Sequence, residues 1–169
     1  QEFYDKALRL RNYGQSERYY HSEIGLNSRL DEIHAAVLLE RVKYIDAFID
    51  RRKQIAKLYL KNINNPIIEH LNSPIDDTTH VYHLFVIRCK FRDQLHIYLK
   101  EKEIETFIHY PIPIHKQKIT SSLMCDPLGL KNAEIHASMC LSIPCHPQMT
   151  DEEAFYIINM VNSFYAQNK

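Results

Sequence analysis

The chain has 169 residues, of which 45% are hydrophobic and 25% are charged, and its formal net charge at pH 7 is +0. This length can bury a substantial core, and the balanced charge provides no global field that would attract nucleic acid or an anionic membrane. Its apolar runs fall far short of the ~20 residues that cross a bilayer, and no signal-peptide pattern opens the sequence. We therefore expect a soluble cytoplasmic protein with neither nucleic acid nor membrane as a partner.

The first part of the chain is predicted to be mainly helical. Apolar residues recur with helical spacing over residues 1–12, and a Tyr-rich loop follows over residues 13–26. From Arg29 a period near 3.6 continues to Leu60. The pattern predicts one long helix over 29–62, or two helices with a bend near residues 46–50.

The second part combines predicted strands and helices. The predicted strands are 67–68, 80–89 and 104–109, with a brief extended piece at 141–144. The predicted helices are 91–102, 131–140 and a last one that begins after Thr150. Thr150 and Glu153 match a capping box, a turn is expected over 73–77, and a Pro-rich loop occupies 110–130. This order predicts an α+β fold with a long helical arm and a small sheet that helices cover.

The turn before the long helix has the composition of an anion site. Ser28 and Asp31 fit the capping-box spacing, which would leave the first backbone N–H groups of a helix beside Asn27 and Arg29. An amide and a guanidinium at that position could donate hydrogen bonds to a phosphate. The alternative is an ordinary helix cap with a solvated arginine.

Two histidines flank the conformationally restricted start of the Pro-rich loop. His109 and His115 flank Tyr110 and two prolines, each of which fixes its own φ and restricts the residue before it. Rigid loops are good positions for substrate contacts. For either histidine taken alone, a structural imidazole is the alternative.

The four cysteines are expected to have a structural role rather than to bind a metal. Cys89, Cys125, Cys140 and Cys145 form no Cys-x-x-Cys pair, and reduced thiols are expected. A zinc cluster with His136 and His146 could be drawn, but the tight ligand spacing of structural zinc sites is missing. We therefore expect no metal.

Taken together, four segments resemble the C-terminal half of the DegT/DnrJ family of pyridoxal-phosphate-dependent sugar aminotransferases. The segments are 12–14, 25–36, 110–115 and 141–147. The resemblance implies the small C-terminal domain of a fold-type I aminotransferase. It divides the chain into the end of a large cofactor domain with an interface loop (1–28), a connecting long helix (29–62) and a small C-terminal domain (63–169).

The resemblance also implies roles for particular residues. Asn27 would reach across a homodimer interface to the phosphate of pyridoxal 5'-phosphate in the neighbouring subunit, and Arg29 would line the same opening. His115 would lie near a nucleotide-linked sugar, with Tyr110 as a second substrate contact. The Tyr-rich loop would pack near the dimer interface.

The implied reaction transfers an amino group from glutamate to a keto-sugar nucleotide, for polysaccharide or glycan biosynthesis. The family uses a Schiff-base lysine, which the resemblance places before Gln1, so no catalytic residue is assigned here and this chain alone is expected to be inactive. Two alternatives stay open. One is a sugar dehydratase of the same family with histidine in place of that lysine, and the other is a non-catalytic interaction domain of the same fold.

Overall fold

The computed structural model describes residues 1–71, 79–120, 122–123 and 126–166. The chain divides into two units, Gln1–Ile45 and Asp46–Lys169. The turn expected over 73–77 and Cys125 lie outside the described residues. In the described part of the chain, no helix has both the length and the apolar character that crossing a membrane requires.

The first unit consists of a helix, a small hairpin and a second helix. Helix α1 spans Glu2–Leu10, strands β1 and β2 span Gln15–Glu17 and Tyr20–His21, and helix α2 spans Glu32–Val42. The predicted helix over 1–12 is thereby confirmed, and the Tyr-rich loop contains an antiparallel hairpin.

Close backbone contacts shape this first unit. Gly14 has a φ of +69°, and a Cβ at this position would lie 1.7 Å from the carbonyl oxygen of Glu23, so only glycine fits. The N–H of Leu26 donates to the carbonyl of Leu10 at 2.8 Å, and the N–H of Tyr13 donates to the carbonyl of Leu26 at 2.9 Å. These bonds fix the segment before residue 27 against the end of α1.

The apolar stripe of α2 is exposed. Five side chains at helical spacing have between 49% and 78% of their surface accessible: Leu30, Ile33, Val37, Leu38 and Val42. The helix is therefore amphipathic in sequence, but its apolar side chains are not buried in a core of this chain.

The helical arm consists of two helices rather than one. Helix α3 spans Ile45–Asn62, and Lys43 and Tyr44 separate it from α2. The N–H of Tyr44 donates to the carbonyl of Arg41, a tight i to i−3 bond that closes α2. The break therefore precedes the bend that the sequence predicted at residues 46–50.

The second unit is built on a three-stranded antiparallel sheet with the order β3-β4-β5. Its strands are β3 (Ile68–His70), β4 (Phe85–Cys89) and β5 (Cys140–Ile143), and its further helices are α4 (Arg92–Glu101), α5 (Lys131–Met139) and α6 (Asp151–Asn162). Ile68 pairs with Cys89, and Phe85 pairs with Ile143. The predicted α+β class, with helices on a small sheet, is confirmed.

The core of this unit joins the sheet to three helices. Residues with 0% exposure come from α3, β4, α4, β5 and α6, and they include Tyr59, Ile87, Leu95, Leu99, Leu141 and Val161. The capping box of α6 is confirmed, because Thr150 N–H donates to Glu153 Oε2 at 2.8 Å and Glu153 N–H donates to Thr150 Oγ1 at 3.2 Å. The apolar stripe of α6, formed by Ala154, Ile157, Ile158 and Val161, is buried.

Two predicted strands are shorter than expected. Only Phe85–Cys89 of the strand predicted over 80–89 joins the sheet, since Tyr82 has a φ of +48° that interrupts extended backbone. In place of a strand over 104–109 there is one isolated pair, Phe107 with Ser142. Pro144 follows β5 and has no N–H, so the ladder cannot continue in that direction.

Helix α3 also fixes the segment that follows β5. The hydroxyl of Tyr59 donates to the carbonyl of Pro144 at 2.7 Å. Arg52 Nη1 donates to the carbonyls of His83 at 2.8 Å and Cys145 at 3.0 Å. These polar contacts hold the end of β5 in register with the core.

Leu95→Ala should lower the free energy of unfolding by about 2–5 kcal/mol, because it removes a fully buried side chain that nothing replaces. Ile97→Ala on the same helix is the matched control, since Ile97 is 58% exposed and its loss should cost less than about 1 kcal/mol. Urea unfolding followed by circular dichroism measures both values. Equal losses for the two variants would contradict the described core.

Candidate functional site

The first candidate cluster surrounds the end of the segment tied to α1. Asn27 forms an isolated bridge with Asn12, and its side-chain oxygen accepts a hydrogen bond from Arg29 Nε at 3.1 Å. The guanidinium carbon of Arg29 lies 5.3 Å from the centroid of the Tyr13 ring. Asn27 and Arg29 are both exposed. The pair therefore presents amide and guanidinium donors outward.

The helix cap that the sequence predicted at Ser28 is wrong. The N–H of Ser28 donates to the carbonyl of Arg11 at 2.8 Å, and Arg11 Nε donates to the carbonyl of Ser28 at 3.2 Å. Because both backbone groups of Ser28 are bound to Arg11, the chain stays extended and helix α2 begins only after Asp31. Asp31 is the N-cap, and its Oδ1 accepts from the backbone N–H of His34 at 2.9 Å.

This capping changes the nature of the anion site. The backbone N–H of His34 lowers the pKa of Asp31, so a carboxylate already occupies the N-terminus of α2. A second anion is disfavoured there by charge repulsion. The donors left for a phosphate are the side chains of Asn27 and Arg29, not the helix end.

Exposed tyrosines lie on the hairpin of the same unit. Tyr19 is 77% exposed and Tyr20 is 71% exposed, and the guanidinium carbon of Arg18 lies 5.1 Å from the Tyr19 ring centroid. Tyr13 and Tyr19 have positive φ values of 59° and 71°, which bulky residues rarely adopt. Such conformations concentrate at functional positions, so the hairpin is a second feature of this unit that points to a binding role.

The second candidate cluster is a cleft in the other unit, between the Pro-rich loop and helix α5. The cleft has a volume of about 670 Å³. Its lining includes His109, Tyr110, Pro113, His115, Asp126 and His136. The loop contains two short 3₁₀ turns, Ile114–Lys116 and Lys118–Thr120, where the sequence indicated little regular structure. An apolar cleft with a few polar groups is the usual form of a small-molecule site.

His115 belongs to an ion-paired cluster at this cleft. His115 Nε2 lies 3.0 Å from Glu134 Oε1, and Lys116 Nζ lies 3.2 Å from the same oxygen. The hydrogen bonds from His115 and then from Lys116 hold the pKa of Glu134 below its ordinary value. The side chain of His115 is 13% exposed, whereas that of Glu134 is 42% exposed. His115 is therefore held on the wall of the cleft.

His109 has a different environment from His115. Its Nδ1 lies 2.9 Å from Ser142 Oγ on β5, and its ring is 5.4 Å from that of Tyr110 in an edge-on arrangement. The peptide bond between His109 and Tyr110 is cis. His109 thus connects the loop to the sheet, while Tyr110 is 71% exposed at the mouth of the cleft.

The structure adds residues that sequence reasoning did not select. Glu134 and His136 both lie on α5, which the sequence identified only as a short helix. The spacing of two residues between them carries no helical-face signal, because residues i and i+2 of a helix do not lie on the same face. Only the partner across the fold, His115, distinguishes Glu134 from other surface glutamates.

The three cysteines within the described residues take no part in either cluster. Cys89, Cys140 and Cys145 are buried free thiols. Burial raises the pKa of all three, that of Cys145 to about 11. Within the ranges that the structure describes, no group of three or more His, Cys, Asp or Glu side chains is arranged to hold a metal ion.

Comparison with known proteins identifies the family that these segments resemble. The model of the DegT/DnrJ/EryC1/StrS aminotransferase family matches residues 1–162. A dTDP-3-amino-3,6-dideoxy-alpha-D-galactopyranose transaminase of Aneurinibacillus thermoaerophilus is 43% identical over 155 residues, 92% of this chain and 42% of that protein. GDP-perosamine synthase of Escherichia coli O157:H7 is 30% identical over 96% of this chain and 44% of its own length.

Solved structures agree with these sequence matches. DesV of S. venezuelae superimposes with a TM-score of 0.81 at 35% identity, over 95% of this chain and 43% of that one. PseC of Helicobacter pylori, an aminotransferase involved in the biosynthesis of pseudoaminic acid, gives a TM-score of 0.80 at 25% identity over 95% of this chain and 45% of its own. The chain spans less than half the length of the relatives it matches.

Proposed function

Because this chain belongs to the DegT/DnrJ/EryC1/StrS aminotransferase family, we propose that the intact protein transfers an amino group from glutamate to a keto-sugar nucleotide. The product would serve polysaccharide or glycan biosynthesis in the cytoplasm. The observation that carries the proposal is the match over residues 1–162, together with a transaminase of amino-sugar nucleotides at 43% identity.

We assign the phosphate of pyridoxal 5'-phosphate to Asn27 and Arg29. When bound, this cofactor supplies the carbonyl group that carries nitrogen between the two substrates and the ring that withdraws electrons. The residues fit a phosphate ester, because an amide and a guanidinium are both exposed and Arg29 has no carboxylate partner among the described residues. Hydrogen bonds to a charged phosphate are stronger than those between neutral groups.

The cleft of the second unit is the proposed place for the sugar nucleotide. His115 is held on its wall and Tyr110 stands at its mouth, so the two could contact different parts of one substrate. Neither residue is assigned a proton transfer at the reacting carbon. That step belongs in this proposal to a cofactor-bearing lysine outside the 169 residues.

A homodimer with shared sites is part of the proposal. The five exposed apolar side chains of the α2 region follow directly after Asn27 and Arg29 in the chain. Soluble proteins seldom leave a continuous apolar stripe in water, and such stripes mark contact surfaces. We assign this stripe, with the exposed tyrosines of the hairpin, to the dimer interface.

An amino-transfer assay on the intact protein tests the proposal. Glutamate should convert the bound cofactor to its amine form, with loss of the visible absorbance and release of one equivalent of 2-oxoglutarate. A keto-sugar nucleotide should restore the absorbance and yield an amino sugar. Release of ammonia and a deoxy keto sugar in place of an amino sugar, with 2-oxoglutarate formed as before, would instead establish the dehydratase alternative, and no spectral response would favour a non-catalytic domain.

Asn27→Ala in the intact protein should weaken cofactor binding about 10- to 150-fold, because a hydrogen bond to a charged group is worth about 1.5–3 kcal/mol. Folding should change little, since the side chain is exposed. Spectroscopic titration with pyridoxal phosphate measures the affinity. Ser28→Ala is the matched control, as Ser28 is held only through its backbone. Unchanged affinity in Asn27→Ala would refute the phosphate assignment.

His115→Ala should raise KM for the sugar nucleotide about 10-fold and leave the glutamate half-reaction nearly unchanged, because only the sugar is assigned to this cleft. Stopped-flow measurement of each half-reaction separates the two effects. His83→Ala, an exposed histidine outside the cleft, is the control. Equal losses in both half-reactions would remove His115 from the substrate site.

A further inference from the structure

A single carboxylate connects the two walls of the cleft. Glu134 is in the first turn of α5, and its Oε1 is shared by His115 Nε2 at 3.0 Å and Lys116 Nζ at 3.2 Å. His115 and Lys116 belong to one 3₁₀ turn, Ile114–Lys116. The contact therefore joins α5 to the Pro-rich loop, and the cleft lies between these elements.

The backbone of the loop presents both side chains to the same oxygen. Pro113 is extended, and the N–H of Lys116 donates back to its carbonyl at 2.9 Å, which closes the turn. Thr120 Oγ1 donates to the carbonyl of Ile114 and secures the following residues. With the turn held in this way, the position of Glu134 decides where the ring of His115 points.

The contact also fixes which ring nitrogen carries the proton. A carboxylate can only accept, so Nε2 of His115 must be the donor. In the neutral ring, Nδ1 is then an acceptor without a hydrogen. The ring nitrogen that remains for a ligand matches a hydrogen-bond donor, such as a sugar hydroxyl.

We propose that Glu134 is a positioning residue of the sugar-nucleotide site, which holds the imidazole of His115 so that Nδ1 accepts a hydrogen bond from a substrate hydroxyl. The inference rests on the proposed function of the cleft. Glu134 also forms an ion pair with Lys116, so its negative charge beside the cleft is offset. The lining of the cleft is mostly apolar and includes the carboxylate of Asp126, which suits a neutral sugar better than a phosphate.

If Glu134 had a purely structural role, its replacement would change the stability of the protein only slightly. Its side chain is 42% exposed and that of Lys116 is 54% exposed. Ion pairs with this exposure contribute little to stability because water screens them. A large effect of Glu134 on substrate binding, without an effect on unfolding, would therefore identify positioning rather than folding.

Variants of Glu134 in the intact protein test the inference. Glu134→Ala should raise KM for the sugar nucleotide about 5- to 10-fold, while Glu134→Gln, which retains an accepting oxygen, should raise it about 2- to 3-fold. The glutamate half-reaction and the midpoint of thermal unfolding should stay at the values of the unmodified protein. Glu101→Gln, at an exposed carboxylate near the end of α4, is the matched control.

A double-mutant cycle with His115 shows whether Glu134 acts through the imidazole. In a His115→Ala background, Glu134→Ala should produce no further rise in KM, because the group that it positions is gone. Independent, additive effects of the two substitutions would overturn the inference. So would a Glu134→Ala variant that retains the KM of the unmodified protein while His115→Ala raises it.

Histidine ring ¹⁵N spectra supply a readout that needs no activity. In the unmodified protein, the signal of His115 should be that of the single tautomer with hydrogen on Nε2, and Glu134→Ala should give a mixture of tautomers. An unchanged tautomer in Glu134→Ala would count against the positioning role. If instead the intact protein shows no amino transfer at all, the proposed function fails, and the ring spectra still report whether Glu134 orients His115.

Discussion

The cleft depends on one residue of the sheet, Ser142, which binds the segment that leads into the Pro-rich loop at two positions. Its backbone exchanges hydrogen bonds with Phe107 at 2.7 and 3.1 Å, and its hydroxyl lies 2.9 Å from His109 Nδ1. Ser142 is on β5, and all four residues of that strand are buried. Helix α5 ends at Met139 and β5 begins at the next residue, so no loop separates them. Both walls of the cleft are consequently attached to the same buried strand. The loop is attached through the hydrogen bonds of Ser142, and helix α5 is attached because it continues directly into β5.

Local sequence signals predicted secondary structure well where contacts between residues close in sequence determine it. Thr150 with Glu153 forms the capping box, in which the backbone N–H of each residue donates to the side chain of the other. Ser28 with Asp31 has comparable spacing, but Arg11 binds both backbone groups of Ser28 from 17 residues away. The same logic applies to the strand predicted over 80–89. Its alternation continues to His80, yet the positive φ of Tyr82 ends the extended backbone.

The sequence predicted only those residues of the candidate site that belong to recognisable motifs. The resemblance selected Asn27, Arg29, Tyr110 and His115, and the structure groups the first two in one unit and the last two on one cleft. It could not separate the environments of His109 and His115, since both flank the same prolines and differ only in their distant partners, Ser142 and Glu134. Glu134 carries no motif of its own. Its significance comes from a contact across 19 residues of sequence, which no local pattern encodes.

The charges of the two clusters argue for different ligands. Arg29 keeps its positive charge without a carboxylate within ion-pair distance in the described part of the chain, and its neighbour Asn27 adds a further polar group. An anionic phosphate is the complementary ligand, because each donor then becomes charge-assisted. At the cleft, Glu134 offsets the charge of Lys116 and occupies one nitrogen of His115. Under the proposed assignment, a neutral group with hydroxyls is the better match for the cleft, because its lining is mostly apolar and includes the carboxylate of Asp126. Under the proposed assignments, the donors of Asn27 and Arg29 match a phosphate-bearing cofactor and the cleft matches a sugar. A substitution at Glu134 would leave the charge of Lys116 without its carboxylate partner.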